Sequence, residues 1–159
     1  MTGGAGGDAR FEDANESPLR LIAQDVEGLG VISALLQDAV FPISEMRFVR
    51  AQRRFALLVN RFRWEGDAPR LPPERARALL VFHDVLAVRS QGIARGEAET
   101  VLSLLSLRFE PGLEGGGRVI LTLAGDGAIA LEVEALDVSL EDVSQPYLAP
   151  SGKTPRHPD

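Results

Sequence analysis

From Pro42 onward the hydrophobic period changes from that of a helix to two, and that change limits what the chain can fold into. Before it, Leu29, Ile32, Leu36 and Val40 recur at spacings of three and four, which predicts one amphipathic helix over 26–40. Asp25 stands at the N-cap position, and Glu27 falls in the first turn, facing the positive end of the helix dipole. Gly28 and Gly30 weaken the first turns by about 1 kcal/mol each relative to alanine, and Pro42 stops the helix near Val40. Beyond Pro42 apolar and polar residues alternate, the period of a strand. A short strand over 19–24 precedes the helix.

The alternation places the strands. Residues 45–49 and 54–64 read as a pair turning at 50–53, with Phe48 opposite Phe55 and Met46 opposite Leu57. Phe62 and Trp64 then fall on the other face. The stretch 75–93 is too long for one strand, so a bend, a bulge or a junction of two strands is expected at His83-Asp84. Residues 100–109 form a strand, and loops rich in Gly and Pro fall at 65–74, 92–99 and 111–117. Asp126-Gly127 is taken as the centre of a hairpin, pairing Ile120 with Val133 and Thr122 with Leu131. Residues 136–143 read as a short helical turn. Strands and long helices do not alternate regularly, which excludes a doubly wound parallel sheet. The predicted fold is α+β: a mainly antiparallel, strongly bent sheet or partial barrel of about six or seven strands, with one N-terminal amphipathic helix on one face or end. Residues 18–145 form the domain, 1–17 a flexible tail and 146–159 an irregular one.

Composition narrows the chemistry. A chain of 159 residues suits one domain with a real core. It has no cysteine, which rules out disulfides and thiolate metal sites. With only His83 and His157 as histidines, no metal or cofactor is expected. No apolar run approaches the ~20 residues of a membrane helix, and the Gly-rich start is unlike a secretory signal; the expected location is the cytoplasm. A net charge of −6 disfavours nucleic acid. The charge is segregated, however: 45–77 holds nine arginines against four acids, and 97–142 holds ten acids against two arginines. Such segments either pair across the sheet or mark a patch for an anionic partner.

Motif by motif, little chemistry emerges. Gly28-Leu29-Gly30-Val31-Ile32-Ser33 lacks the third glycine of a dinucleotide fingerprint and reads as helix glycines packed against a neighbour. Gly152-Lys153-Thr154 has Tyr147 where a phosphate loop needs its first glycine. His83 is the one histidine within the domain and adjoins Asp84, but neighbours on a strand point to opposite faces, so a kink is required for a dyad. Glu132 and Glu134 share a strand face and read as solvated positions pairing with arginine. In Asn60-Arg61-Phe62-Arg63-Trp64 the guanidinium groups and the rings fall on opposite faces. A base-stacking surface needs them together, so the rings are expected inward and the arginines outward. Arg54, Arg61 and Arg63 are the candidate ligand-binding residues, for a phosphate or carboxylate.

Residues 35–40 (Leu35-Leu36-Gln37-Asp38-Ala39-Val40), 54–65, Arg89-Ser90-Gln91-Gly92-Ile93 and 102–110 together resemble the bacterial domain-of-unknown-function family 2948 over about 19–145. The resemblance implies a single-domain bacterial cytosolic protein and carries no activity or catalytic residue with it. The leading functional expectation is therefore a non-enzymatic interaction or scaffold domain. A homodimer through a strand edge or the Phe62/Trp64 region would cover apolar residues on both strand faces. The alternatives are a protein binding a small anionic ligand or an anionic protein partner through the arginine cluster, and an enzyme using His83.

Overall fold

The computed structural model describes residues 18–63, 74–93, 99–144 and 147–148. The expectations for 1–17, Trp64, most of the 65–74 loop and the tail beyond Leu148, with Gly152-Lys153-Thr154 and His157, lie outside these residues. Strand β1 (Arg20–Ala23) leads into helix α1 (Val26–Leu35). The Asp25 carboxylate accepts the Gly28 N–H at 2.7 Å, so the expected cap is present. At Gly28 helix α1 runs tight against the end of β1: a Cβ there would lie 3.1 Å from that of Ala23. Gly30 meets nothing.

The helix ends at Leu35, not at Val40. Asp38 turns into the left-handed region at φ +67. Its N–H donates to the Leu104 carbonyl, and the Leu104 N–H to the Ala39 carbonyl, both at 2.8 Å. A distant strand captures this backbone before Pro42 can stop the helix. The freed residues form β2 (Val40–Pro42).

The remaining strands are β3 (Met46–Val49), β4 (Arg54–Phe62), β5 (Glu74–Phe82), β6 (Val85–Gln91), β7 (Val101–Pro111), β8 (Gly117–Leu123), β9 (Ala128–Val133) and β10 (Val138–Asp142). Counting the two-residue β11 (Tyr147–Leu148), the described strands number eleven. Every pairing is antiparallel. The order β1-β10-β5-β4-β2-β7-β8-β9-β6 is open at both ends, with β11 on β5 and β3 on β4. This corrects the expected bent sheet or partial barrel of six or seven strands. The extra strands are mostly the short ones, β2, β10 and β11; β2 and β11 are too brief to show a period of two, whereas β10 alternates in burial over its five residues. Residues 136–143 are not a helical turn: β10 lies between β1 and β5, pairing Leu21 with Leu140 and Leu80 with Leu140.

The β3–β4 register agrees with expectation, Phe48 opposite Phe55 and Met46 opposite Leu57. So does the junction at His83-Asp84, where Asp84 at φ +57 separates β5 from β6. The β8–β9 register differs. The left-handed residues are Gly125 and Asp126, at φ +82 and +69, and the ladder closes on Leu123 N–H to Gly127 O at 2.9 Å. Val119 therefore faces Leu131, and Leu121 faces Ile129. An odd shift in register moves the side chains of one strand to the other face: Val119 and Leu121 join Ile129 and Leu131 in the core, and Ile120 and Thr122 turn outward.

One core results. Leu29 and Ile32 of α1 join Phe41, Leu57, Leu80, Phe82, Leu104, Leu121, Leu131 and Leu140. Helix α1 packs on β7, and the Ser33 hydroxyl there accepts the Leu107 N–H at 2.9 Å. No helix among the described residues is long and apolar enough to cross a membrane.

Candidate functional site

Arg54, Arg61 and Arg63 do not converge. Arg54 is exposed at the start of β4, opposite Val49. Arg61 points into the protein, against the expectation of arginines outward, and its side chain is 0% exposed. Its Nε and Nη2 donate to the two carboxylate oxygens of Asp142 at 2.9 and 2.8 Å. Asp142 also accepts the Leu19 N–H at 2.9 Å. The geometry has a local cause. Arg61 lies opposite Ala76, and Asp142 opposite Ala78. Two small residues on one face of β5 let the ion pair close above that strand. Arg63 is buried as well and donates to Glu74 at 2.7 Å. Phe62, on the opposite face, is covered by the guanidinium of half-buried Arg75, 3.9 Å from its ring centroid, a cation–π contact.

The other candidates also fall apart as groups. Glu134 pairs with Arg53 at 2.9 Å and Glu132 with Arg118 at 2.7 Å, which is the arginine pairing expected of them. His83 is half-buried at the β5–β6 junction, its N–H donating to the Asp137 carbonyl at 2.9 Å. Among the described residues its imidazole has no hydrogen-bonded acid. No cluster of three or more metal-ligating side chains occurs among them either.

Other arginines do converge. On the outer face of β7, β8, β9 and β6, the register sets residues in cross-strand rows. Arg108, Ile120, Ala130 and Arg89 form one row; Ser106, Thr122, Ala128 and Gln91 form the next. The two row ends are three strand spacings apart, about 14 Å. Alanines in the middle and long side chains at the ends leave a cleft of about 520 Å³. A third row, Glu110, Arg118 and Glu132, closes one end. There Arg108 donates to Glu110 at 2.9 Å, and Arg118 donates to Glu132 at 2.7 Å. That hydrogen bond, then the Glu132 charge, raises the pKa of Arg118 above its ordinary value. Arg108 and Arg118 are thus each matched by an acid. Arg89 is exposed and makes no ion pair among the described residues. The cleft carries one guanidinium in excess, beside a floor of Ile120, Ala128 and Ala130.

Sequence reasoning missed this site. Its arginines are scattered over three strands rather than clustered in the basic segment. The available signal was the alternation Arg118-Ile120-Thr122 against Ala128-Ala130-Glu132, hidden by the wrong turn centre.

The opposite face of β6 borders a second depression. Ile43, Met46, Phe55, Val88, Ile93 and Ile129 line a mainly apolar slot of about 250 Å³ between β3–β4 and β6–β9.

Among known proteins, the family model described as "Protein of unknown function (DUF2948)" matches residues 19–157. No curated protein and no solved structure matches the chain.

Proposed function

We propose that the chain, which belongs to the DUF2948 family, is a non-catalytic binding domain whose cleft on the β7-β8-β9-β6 face takes a ligand bearing one acidic group. The observation that carries this is Arg89: an exposed guanidinium without an acid partner among the described residues, at the wall of a cleft whose other two arginines are neutralised. A carboxylate or phosphate bound there would receive a forked, charge-assisted contact. The apolar floor would take the uncharged part of the ligand, with Thr122 and Gln91 as polar neighbours. The lining offers hydroxyls and arginines but no histidine, and Glu110 is engaged by Arg108. It lacks a poised general base, which favours binding over reaction.

A thermal-shift and calorimetric series with inorganic phosphate and with butyrate, which joins one carboxylate to an apolar part, tests the reading. A ligand at about a hundred-fold excess over Kd stabilises the native state by about 2.7 kcal/mol. For a chain of this size that is a rise in Tm of about 5–10 °C. The rise should vanish in Arg89→Gln. An equal rise in the variant, or none in the parent chain with either anion, overturns it.

A further inference from the structure

We infer that the outer face of β3, β4, β5, β10 and β1 docks a helix of a partner protein, one with acids in its first turn and an apolar stripe behind them. This surface is independent of the cleft, which lies on the other half of the sheet.

Most arginines near it are matched by the fold. Arg20, Arg53, Arg61 and Arg63 each stand beside an acid. Arg47 and Arg54 do not. Arg47 lies opposite Ala56, and Arg54 opposite Val49, so the two are diagonal neighbours on one face, with Cα atoms about 7–8 Å apart. Both are exposed and form no ion pair among the described residues. Glu45 and Asp137, just before β3 and β10, pair with neither. Like charges set side by side on a sheet oppose folding, so the free protein gains nothing from them.

The rest of the face is apolar or small. The register runs Arg47, Ala56, Val81, Ser139, Ile22 across the strands, and Leu58 lies beside Leu79 in the adjoining row. The residues that alternate with these, Leu57, Leu80 and Leu140, are core. Helix α1 sends Leu29 and Ile32 into that core and so covers the opposite face. From Arg47 to Ile22 the row spans four strand spacings, about 19 Å. One end carries the two free guanidinium groups. At the other, Ile22 is 73% exposed and borders a depression of about 400 Å³ with Arg20, Ser139 and Glu141.

The chemistry of the occupant follows. The backbone of these strands is engaged in the ladder, so an extended peptide laid across the face would leave its own N–H and C=O groups unpaired. A helix pairs its own backbone, and a helix on a sheet is the common two-layer packing of mixed folds. Acids that meet Arg47 and Arg54 belong in its first turn, where the macrodipole also favours them. About 13 residues at 1.5 Å each then carry an apolar stripe past Ala56 and Val81 to Ile22. A second copy of this face adds further unmatched guanidinium groups. A long polyanion feels the net charge of −6, whereas a short acidic turn senses only charges within a Debye length of about 10 Å.

The test uses the full chain and a capped peptide, Asp-Glu-Glu-Leu-Ala-Lys-Leu-Leu-Ala-Gln-Leu-Ala-Lys, with binding read by calorimetry and helicity by circular dichroism. A control peptide begins Asn-Gln-Gln. The acidic peptide should gain helicity on binding and bind about tenfold more tightly than the control. The double variant Arg47→Glu, Arg54→Glu should abolish or reverse that preference, and Ile22→Ser should weaken both peptides severalfold. Arg54→Glu alone sets an acid beside Arg47 and should raise the Tm of the free chain by about 1–3 °C, as expected of a residue kept for binding at the expense of stability. Arg89→Gln should leave peptide binding unchanged. No binding of the acidic peptide, a preference that survives charge reversal, a fall in Tm with Arg54→Glu, or a loss caused by Arg89→Gln overturns docking on this face. Self-association of the free chain in sedimentation that Ile22→Ser abolishes gives the face to a second copy and overturns it as well.

Discussion

Arg61 and Asp142 are paired with both carboxylate oxygens engaged and side chains 0% and 2% exposed. Burying two ions is repaid only by such geometry, and removing one partner strands the other. Asp142→Ala is therefore expected to cost about 3–5 kcal/mol in urea unfolding, and the double variant Arg61→Met, Asp142→Leu to lie near the parent chain. A single-variant cost below about 1 kcal/mol would show that water reaches the guanidinium. This residue was not legible in the sequence as a buried one. Its alternation with Phe62 is symmetric between two faces, and nothing local says which face is covered. The deciding facts are Ala76 and Ala78, which leave room above β5, and an acid whose segment reads as helical in isolation. The Arg53–Glu134 pair, more than half exposed, should contribute about 0–1 kcal/mol.

At the scale of elements, the β8–β9 hairpin separates two turn assignments by experiment. With Gly125 at φ +82, Gly125→Ala places a Cβ in the left-handed region, at a cost of about 1–2 kcal/mol. Gly127 has an ordinary φ, and a Cβ there would sit 3.4 Å from Leu123 and the Gly92 carbonyl; its alanine variant should be milder. An Asp126-Gly127 turn requires the reverse order, so comparing the two unfolding midpoints decides the register. The N-cap is a second element-scale case: Asp25→Ala should cost about 1 kcal/mol. That cap, the β3–β4 register and the break at Asp84 were readable because each depends on a few adjacent residues. The helix end and β10 were not, because backbone from β7 and β5 competes there with local preference, and tertiary pairing overrides propensity. The cleft shares this origin. Its rows exist only once four strands are aligned, and a single odd slip in β8 points Arg118 away from Glu132.

For the molecule as a whole, the segregation of charge along the chain is partly cancelled by the fold. The basic segment 45–77 and the acidic segment 97–142 meet at Arg61–Asp142 and Arg53–Glu134, across distances in sequence that no local pattern reports. The cancellation is incomplete: Arg47 and Arg54 of the basic segment, like Arg89 at the cleft, are exposed and make no ion pair among the described residues, on a chain of net charge −6. Salt should separate these two kinds of electrostatics. The buried pair is shielded from mobile ions, and exposed pairs contribute little each. Screening also relieves the self-repulsion of an acidic chain. Raising sodium chloride to about 0.5 M should accordingly shift the Tm of the free protein by less than about 3 °C, the equivalent of about 1 kcal/mol. The same salt should weaken phosphate or butyrate binding severalfold, because that contact lies at an exposed guanidinium within reach of the ions. A large fall in Tm with salt would mean that exposed ion pairs, and not the apolar core with Arg61–Asp142, hold the two ends of the sheet together. Binding that ignores salt would place the ligand in the apolar slot, away from Arg89.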